Sequence, residues 1–388
     1  MMLSSLSAAA ASLLLASSVS AQKSLIAPKG AEVLTVAVFG DYGWTGWIPA
    51  PDHFCLEVML ELQAANITIP NELINDCDPG DKVFVNNATA LQTDTANYIG
   101  QVCTMKNCSA ILSVGDNFYD SGVDFTTGGI LRFEEAWVNM YSQGVFRDMP
   151  WYQCLGNHDI VKGTAGVDFE TKILPYYDDR WNFGTTGLPY WTYDLVGSNW
   201  TATFVVIDSD CFLSSYQKNT SVYFNEYTIG CHKNTSVQID FLNTTFSNSK
   251  ADWKFLQLHH PYMSSSTNQT DLAPLISIVE AHNGIVLNGH DHCLAHYVNN
   301  NTNFILSGAA GYPQGGDCNN GIPLGPYAKF LAANNNTAAN GLVTMDISST
   351  SVDVEYYVRD MVFINGDLYP VSHDLMPSYK FQITQKST

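Results

Sequence analysis

Five apolar runs in this chain break off at a residue type able to ligate a metal, and that recurrence constrains the fold more than any other feature. VAVFGDYG ends at Asp41, ILSVGDNFY at Asp116, WYQCLGNHD at Asn157, FLQLHHP at His259 and GIVLNGHDH at His290, with His292 on the same loop. A run such as Ile111, Leu112 and Val114 that stops at Gly115 predicts a buried strand delivering one carboxylate to its C-terminal edge. That edge is where open α/β sheets place ligands. Singly, an Asp after Gly is an ordinary turn residue and a lone His an ordinary core or surface residue. Jointly the pattern is a metal-site distribution, because six of the ten histidines also fall in the stretch from His259 to His296.

The donor types specify the chemistry. Two cations about 3.5–4 Å apart need a carboxylate that can bridge them, terminal carboxylate and imidazole ligands, and open positions for water and substrate. Imidazole suits Zn, Fe or Mn, and a Tyr phenolate is a hard anionic donor that favours trivalent iron.

Strand and helix signals alternate along the chain. Strands are predicted over 32–39, 110–114, 150–155, 190–195, 202–207, 254–258, 285–287 and 303–306, with a closing hairpin of 342–347 and 352–358. Helices are predicted over 53–65, 130–142, 237–246 and 272–281. Several βαβ units followed by paired strands imply an α/β sandwich with a mixed sheet. The absence of a linker predicts a single domain over 22–388. Residues 66–109 and 211–235 lack a clean period and are predicted to be surface insertions, and a polar tail is expected after roughly His373.

Composition narrows the setting. At 388 residues, 46% hydrophobic and 12% aromatic, the chain can fill a substantial core. Residues 1–21 carry no charged side chain, have an apolar centre and end in small residues, the pattern of a secretory signal peptide. No other stretch approaches the roughly 20 apolar residues of a membrane span. Ten Asn-x-Ser/Thr sequons, at Asn66, Asn87, Asn107, Asn199, Asn219, Asn234, Asn243, Asn268, Asn300 and Asn335, fit N-linked glycans and a secretory route. Nine cysteines leave at least one unpaired. Cys211 and Cys231, and the group Cys55, Cys77, Cys103 and Cys108, are the disulfide candidates, while Cys154 reads as a buried free thiol. A net charge of −20 excludes nucleic acid as a partner. It also means that an anionic substrate needs local positive charge, which bound metals would supply.

The ordered set GDxG, GDxxY, GNH(D/E), VxxH and GHxH resembles the signature of the purple acid phosphatases within the calcineurin-like metallophosphoesterases. GDNFYDSGV, WYxxxGNHD, RWNF at Arg180 to Phe183, and GHDH are most similar to the small tartrate-resistant branch. The resemblance covers about residues 33–310. It departs at Tyr42, where Trp is frequent, and at Leu256, which replaces the Val of VxxH. The resemblance implies a sandwich of α/β/β/α layers with mixed sheets. It implies that Asp41, Tyr119 and His292 hold Fe(III), that Asn157, His259 and His290 hold a divalent Fe, Zn or Mn, and that Asp116 bridges them. It makes His158 the candidate proton donor and gives His260 a weaker substrate-side role. Asp159 is expected to anchor its loop, and His296 to lie at the surface. The implied activity is hydrolysis of phosphate monoesters at acidic pH by a metal-bound hydroxide, in a secreted or vacuolar-lysosomal protein. Its substrates would be small phosphoesters, with phosphoproteins as a further class. A phosphodiesterase or pyrophosphatase on the same scaffold, a surface glycoprotein with a vestigial metal site, and iron redox activity are the alternatives. By the same resemblance, cleavage within 211–235 is expected to regulate activity.

Overall fold

Two mixed sheets face each other in the computed structural model, which describes residues 25–26, 31–43, 48–49, 84–85, 90–264, 266–311, 325–332, 339–364, 367–371 and 374–385. Strands are numbered in chain order. The first sheet runs β1 (Leu25–Ile26), β8 (Trp191–Val196), β9 (Thr201–Val206), β10 (Trp253–Gln257), β11 (Ile285–Asn288), β13 (Thr302–Ser307), β12 (Leu294–Asn299) and β14 (Ala328–Leu331). The second runs β17 (Asp367–Pro370), β16 (Ser351–Ile364), β15 (Ala339–Ile347), β2 (Leu34–Phe39), β5 (Ala110–Ser113), β6 (Trp151–Tyr152) and β7 (Trp181–Asn182), with β18 (Tyr379–Thr384) also on β16. A separate short pair joins β3 (Ile48–Pro49) to β4 (Phe84–Val85).

The central strands are parallel: β9, β10, β11 and β13 in the first sheet, and β2, β5, β6 and β7 in the second. Such strands are covered on both faces and therefore read as unbroken apolar runs, as LTVAVF and AILS do with every residue buried. Helices Thr235–Asn248 and Gln269–Ala281 pack together beside β9, and helix Ala90–Lys106 packs on β15, so helices flank the paired sheets. The predicted hairpin forms as β15 and β16. The fully buried Gln257 joins the sheets by donating to the carbonyls of Ser113 (2.6 Å) and Tyr152 (3.0 Å). Both sheets thereby present the C-terminal ends of their parallel strands to one place.

Five expectations need correction. Residues 90–106, predicted as part of a loop insertion, form a 17-residue helix whose Tyr98, Ile99, Val102 and Cys103 are buried. Its period was masked by polar residues that are also buried, Gln92 donating to the Ala136 carbonyl and Thr95 to Asn340. Residues 211–235 are folded over the core rather than displayed as an excursion, with Cys211, Tyr216 and Thr228 buried. The expected tail contributes β18, which pairs with β16 from Tyr379 to Thr384. His296, expected at the surface, is buried on β12, stacked on Phe381 at 3.6 Å and bonded to Tyr379 and Asn303. The predicted helix 130–142 forms only in part, as an α-turn over Gly129–Phe133 that widens to a π-turn over Glu134–Val138. The signal segment, helix 53–65, Cys55, Cys77 and the sequons at Asn66, Asn87 and Asn335 lie outside the described residues.

Disulfides Cys103–Cys108 and Cys211–Cys231 are present, Cys293 is also disulfide-bonded, and Cys154 is a buried free thiol.

Candidate metal centre

Each candidate ligand sits on the loop that follows a central parallel strand. Asp41 follows β2, Asp116 and Tyr119 follow β5, Asn157 follows β6, His259 follows β10, and His290 and His292 follow β11. Asp41, Asp116 and His290 have φ of 59°, 56° and 70°, the left-handed region that non-glycine residues rarely occupy. Three such residues among seven candidate ligands mark backbone strain concentrated at one site, as functional sites tend to show.

Glycines make the convergence possible. Gly115 has φ of 95°, and a Cβ there would lie 2.7 Å from His259 Nδ1. Gly156 is required for space rather than for its torsion, since a Cβ would meet Asp116 Oδ1 at 2.3 Å.

The donor atoms fall into two groups. In one, Tyr119 donates to Asp41 Oδ1 (2.9 Å) and lies 3.0 Å from His292 Nε2, which is 3.3 Å from Asp41 Oδ1. In the other, Asn157 Oδ1 lies 2.8 Å from His290 Nδ1 and 3.1 Å from His259 Nε2, which is 3.4 Å from Asp116 Oδ1. Asp116 belongs to both, because a carboxylate oxygen of each of Asp41 and Asp116 and a ring nitrogen of His292 lie within 4.8 Å of one another. A further cluster of Asp208, Cys211 and Cys231 has both sulfurs in a disulfide and offers no thiolate.

The second group tests the fit to a cation. His259 Nδ1 donates to the Val114 carbonyl at 2.7 Å, which leaves Nε2 of the neutral ring as a lone pair. That lone pair faces two further acceptors, the oxygens of Asn157 and Asp116. Buried acceptors without a donor are costly, and a cation answers all three at once. Without a metal, a proton on Nε2 would meet the same need for positive charge. Burial opposes charge on His259, yet the Asp116 and Asp41 carboxylates push its pKa up to about 9. Burial would likewise raise Asp116, but the His259 and His158 imidazoles hold its carboxyl well below the usual range. The donor set fits a pair of metals: carboxylate, phenol and one imidazole on one side, amide and two imidazoles on the other.

His158 donates its backbone N–H to Asp116 Oδ1 (2.9 Å) and Nδ1–H to the Asp120 carbonyl (2.5 Å). Its Nε2 is 4.0 Å from Asp116 Oδ2, and its side chain keeps 23% exposure. His260 is fully buried, with Nδ1 paired to Ser209 (2.9 Å) and Nε2 to Tyr216 (2.8 Å). Burial and the neighbouring His290 and His259 rings push its pKa well down.

Of the groups that hold these loops, Asp159 is the anchor expected from the sequence, whereas Ser209, Tyr216 and Tyr223 were not pointed to. Asp159, fully buried, accepts from the backbone of Gly156 (2.8 Å), Asn117 (2.9 Å) and Phe118 (3.0 Å), tying the loop of Asn157 to that of Asp116 and Tyr119. Burial, then Asp116, pushes its pKa up to about 8. Tyr42 packs edge-on to Phe39 and Trp151 and donates to Asn117 at 2.7 Å, so the departure from Trp keeps the packing and adds a bond. Ser209, Tyr216 and Tyr223 reach the centre from a stretch whose aperiodic sequence carried no signal.

With this geometry, the comparisons agree on the family. Residues 34–294 match the calcineurin-like phosphoesterases. Purple acid phosphatase 7 of Arabidopsis thaliana is 28% identical over 224 residues, 56% of this chain and 64% of the relative. Tartrate-resistant acid phosphatase type 5 of Rattus norvegicus is 27% identical over 278 residues, 66% of this chain and 78% of the relative. The chain thus spans slightly less than two thirds of the plant relative. Among solved structures, GAP50, the anchor in the inner membrane complex of Plasmodium, superposes with a TM-score of 0.55 at 15% identity, over 92% of this chain and 90% of that one, a likeness of fold alone. The family match extends over well more than half of the sequence and contains every candidate ligand, so the chain belongs to the calcineurin-like phosphoesterases.

Proposed function

We propose that the chain is a secreted acid phosphatase that hydrolyses phosphate monoesters at a dinuclear Fe(III)–M(II) centre, with M being Fe, Zn or Mn. One observation carries this reading: potential donor atoms of seven residues converge in two groups around Asp116, an arrangement that a pair of cations would satisfy. Asp41, Tyr119 and His292 would hold the trivalent ion, Asn157, His259 and His290 the divalent one, and Asp116 both. When bound, the pair supplies Lewis-acid charge for the phosphoryl oxygens and a water of lowered pKa. The same charge answers the −20 of the chain, which would otherwise repel an anionic ester.

The protein's own groups do the rest. His158 Nδ1–H is committed to the Asp120 carbonyl, so Nε2 is the nitrogen free to carry a proton to the leaving-group oxygen. Its exposure leaves Nε2 open to proton exchange with solvent. His260 has both nitrogens occupied by hydroxyls, and its role in this reading is to position Ser209 and Tyr216 beside the centre rather than to exchange a proton. The disulfides and the 1–21 segment support an oxidising, secretory setting, with glycans on exposed sequons such as Asn199 and Asn243.

Elemental analysis with a visible spectrum, followed by turnover of p-nitrophenyl phosphate against bis(p-nitrophenyl) phosphate, tests the reading. About two metals per chain, a visible band lost in Tyr119→Phe with metal retained, and preference for the monoester are expected. A metal-free protein overturns the centre, and preference for the diester makes the enzyme a phosphodiesterase.

A further inference from the structure

We propose that Tyr223 is a positioning residue for the second metal subsite, acting through the amide of Asn157; the inference rests on the dinuclear reading above. An Asn that offers its oxygen to a cation turns its NH2 group the other way. That group must then find an acceptor or remain a buried orphan. Here Asn157 Oδ1 faces His259 and His290, and Nδ2 donates to the Tyr223 hydroxyl at 2.7 Å. Tyr223 therefore holds the amide plane in the orientation that directs the oxygen inward. Outer partners of this kind orient ligands at metal sites generally.

The Tyr223 ring is itself fixed from several sides. It packs on Tyr216 at 4.5 Å between centroids and lies edge-on to His158 at 6.2 Å. Its carbonyl accepts from Thr228 Oγ1 at 2.7 Å, and Thr228 forms a capping box with Asn225 at the start of helix Glu226–His232. That helix is bound to the loop beyond Asn157: Asn225 donates to the Ile160 carbonyl (2.9 Å), and Glu226 accepts from the Thr164 backbone (2.9 Å). Cys211–Cys231 closes the segment, and Tyr216 reaches His260, the neighbour of His259. Residues 211–235 thus grip the second subsite from two sides, through Asn157 and through His260. Of the two groups of candidate ligands, Asn157 lies in the second. The effect of losing the hydroxyl should accordingly fall on one metal and spare the other.

The test is Tyr223→Phe in the full chain, which keeps the ring packing and removes only the acceptor. Both proteins are stripped of the divalent ion with chelator and titrated with Zn²⁺, with occupancy read by elemental analysis. Loss of an outer partner weakens a metal site by about 10- to 100-fold, and that shift in Zn²⁺ affinity is expected with the visible band and iron content unchanged. Turnover should fall at limiting Zn²⁺ and recover at saturating Zn²⁺, which a general structural defect would not do. Wild-type Zn²⁺ affinity in Tyr223→Phe, with a loss only in Tyr223→Ala, would make the residue mere packing and overturn the inference. A wild-type protein that takes up no Zn²⁺ would instead overturn the dinuclear reading itself.

Discussion

Replacing Gly156 with Ala isolates the demand that the centre makes on its backbone. The added Cβ would lie 2.3 Å from Asp116 Oδ1 and 2.4 Å from Asp116 N, where ordinary contact begins at 3.4 Å, so about 1 Å must open. Neither side can yield cheaply. Gly156 N is held by Asp159 at 2.8 Å, and Asp116 Oδ1 accepts from the His158 backbone at 2.9 Å. Overpacking of this size costs about 1–3 kcal/mol of stability, read as a lowered urea midpoint of the metal-stripped protein. A 1 Å displacement of reacting groups can cost about a hundredfold in rate, so kcat should fall more than stability suggests, with weakened metal retention. Gly230→Ala is the contrast. A Cβ at Gly230 meets nothing within 4 Å, and the position lies inside helix Glu226–His232, so Ala should stabilise by about 0.8–1 kcal/mol. A Gly156→Ala protein with the wild-type midpoint, metal content and kcat would refute the reasoning.

Other perturbations address separate parts of the molecule. His158→Ala should lower kcat by roughly a hundred- to ten-thousandfold with both metals retained; unchanged kcat in a metal-replete variant removes the proton-donor role. Opening Cys211–Cys231, which spans 20 residues, should cost about 3 kcal/mol against about 2 for Cys103–Cys108, which spans 5, by loop-closure entropy; paired Cys→Ser variants compared by urea denaturation decide this. Burial pushes His296 down to about 4, below its unfolded value of 6.5. The unfolded chain therefore binds the proton first, and stability should fall as pH drops from about 6.5 to 4, by up to about 3 kcal/mol. His296→Asn should flatten that part of the unfolding profile, and an unaltered slope would contradict it.

The central parallel strands were legible because both faces of each are covered, which writes burial into the sequence as an unbroken run. The candidate ligands were conspicuous because they stand immediately after those runs. What could not be read was chemistry supplied from elsewhere in the chain. Asn157 is obvious after Leu155-Gly156, but its partner Tyr223 is 66 residues away in a stretch with no period. Helix Ala90–Lys106 was hidden for a related reason: Gln92 and Thr95 are polar yet buried, because Ala136 and Asn340 satisfy them. His296 misled in the same way, its two nitrogens being met by Asn303 and by Tyr379 of a strand that looked like a polar tail. In each case burial of a polar group depends on a partner that local sequence cannot display.

The strain at the centre bears on stability as well as on chemistry. Asp41, Asp116 and His290 each occupy left-handed backbone, at about 1–2 kcal/mol apiece for a non-glycine residue. They also gather buried acceptors that repel one another. The fold must supply several kcal/mol to hold this arrangement, and cations bound there, as proposed, would return part of that cost. A ligand present at 100 to 1,000 times its Kd stabilises the native state by about 2.7–4.1 kcal/mol, so chelation should lower the urea midpoint by a corresponding amount. In Asp116→Asn, where both groups of ligands lose their shared carboxylate, the midpoint should no longer respond to chelator. If removal of the metals, verified by elemental analysis, leaves the wild-type midpoint unmoved, then the surrounding packing alone sustains the strained loops and the argued link between strain and cation binding fails.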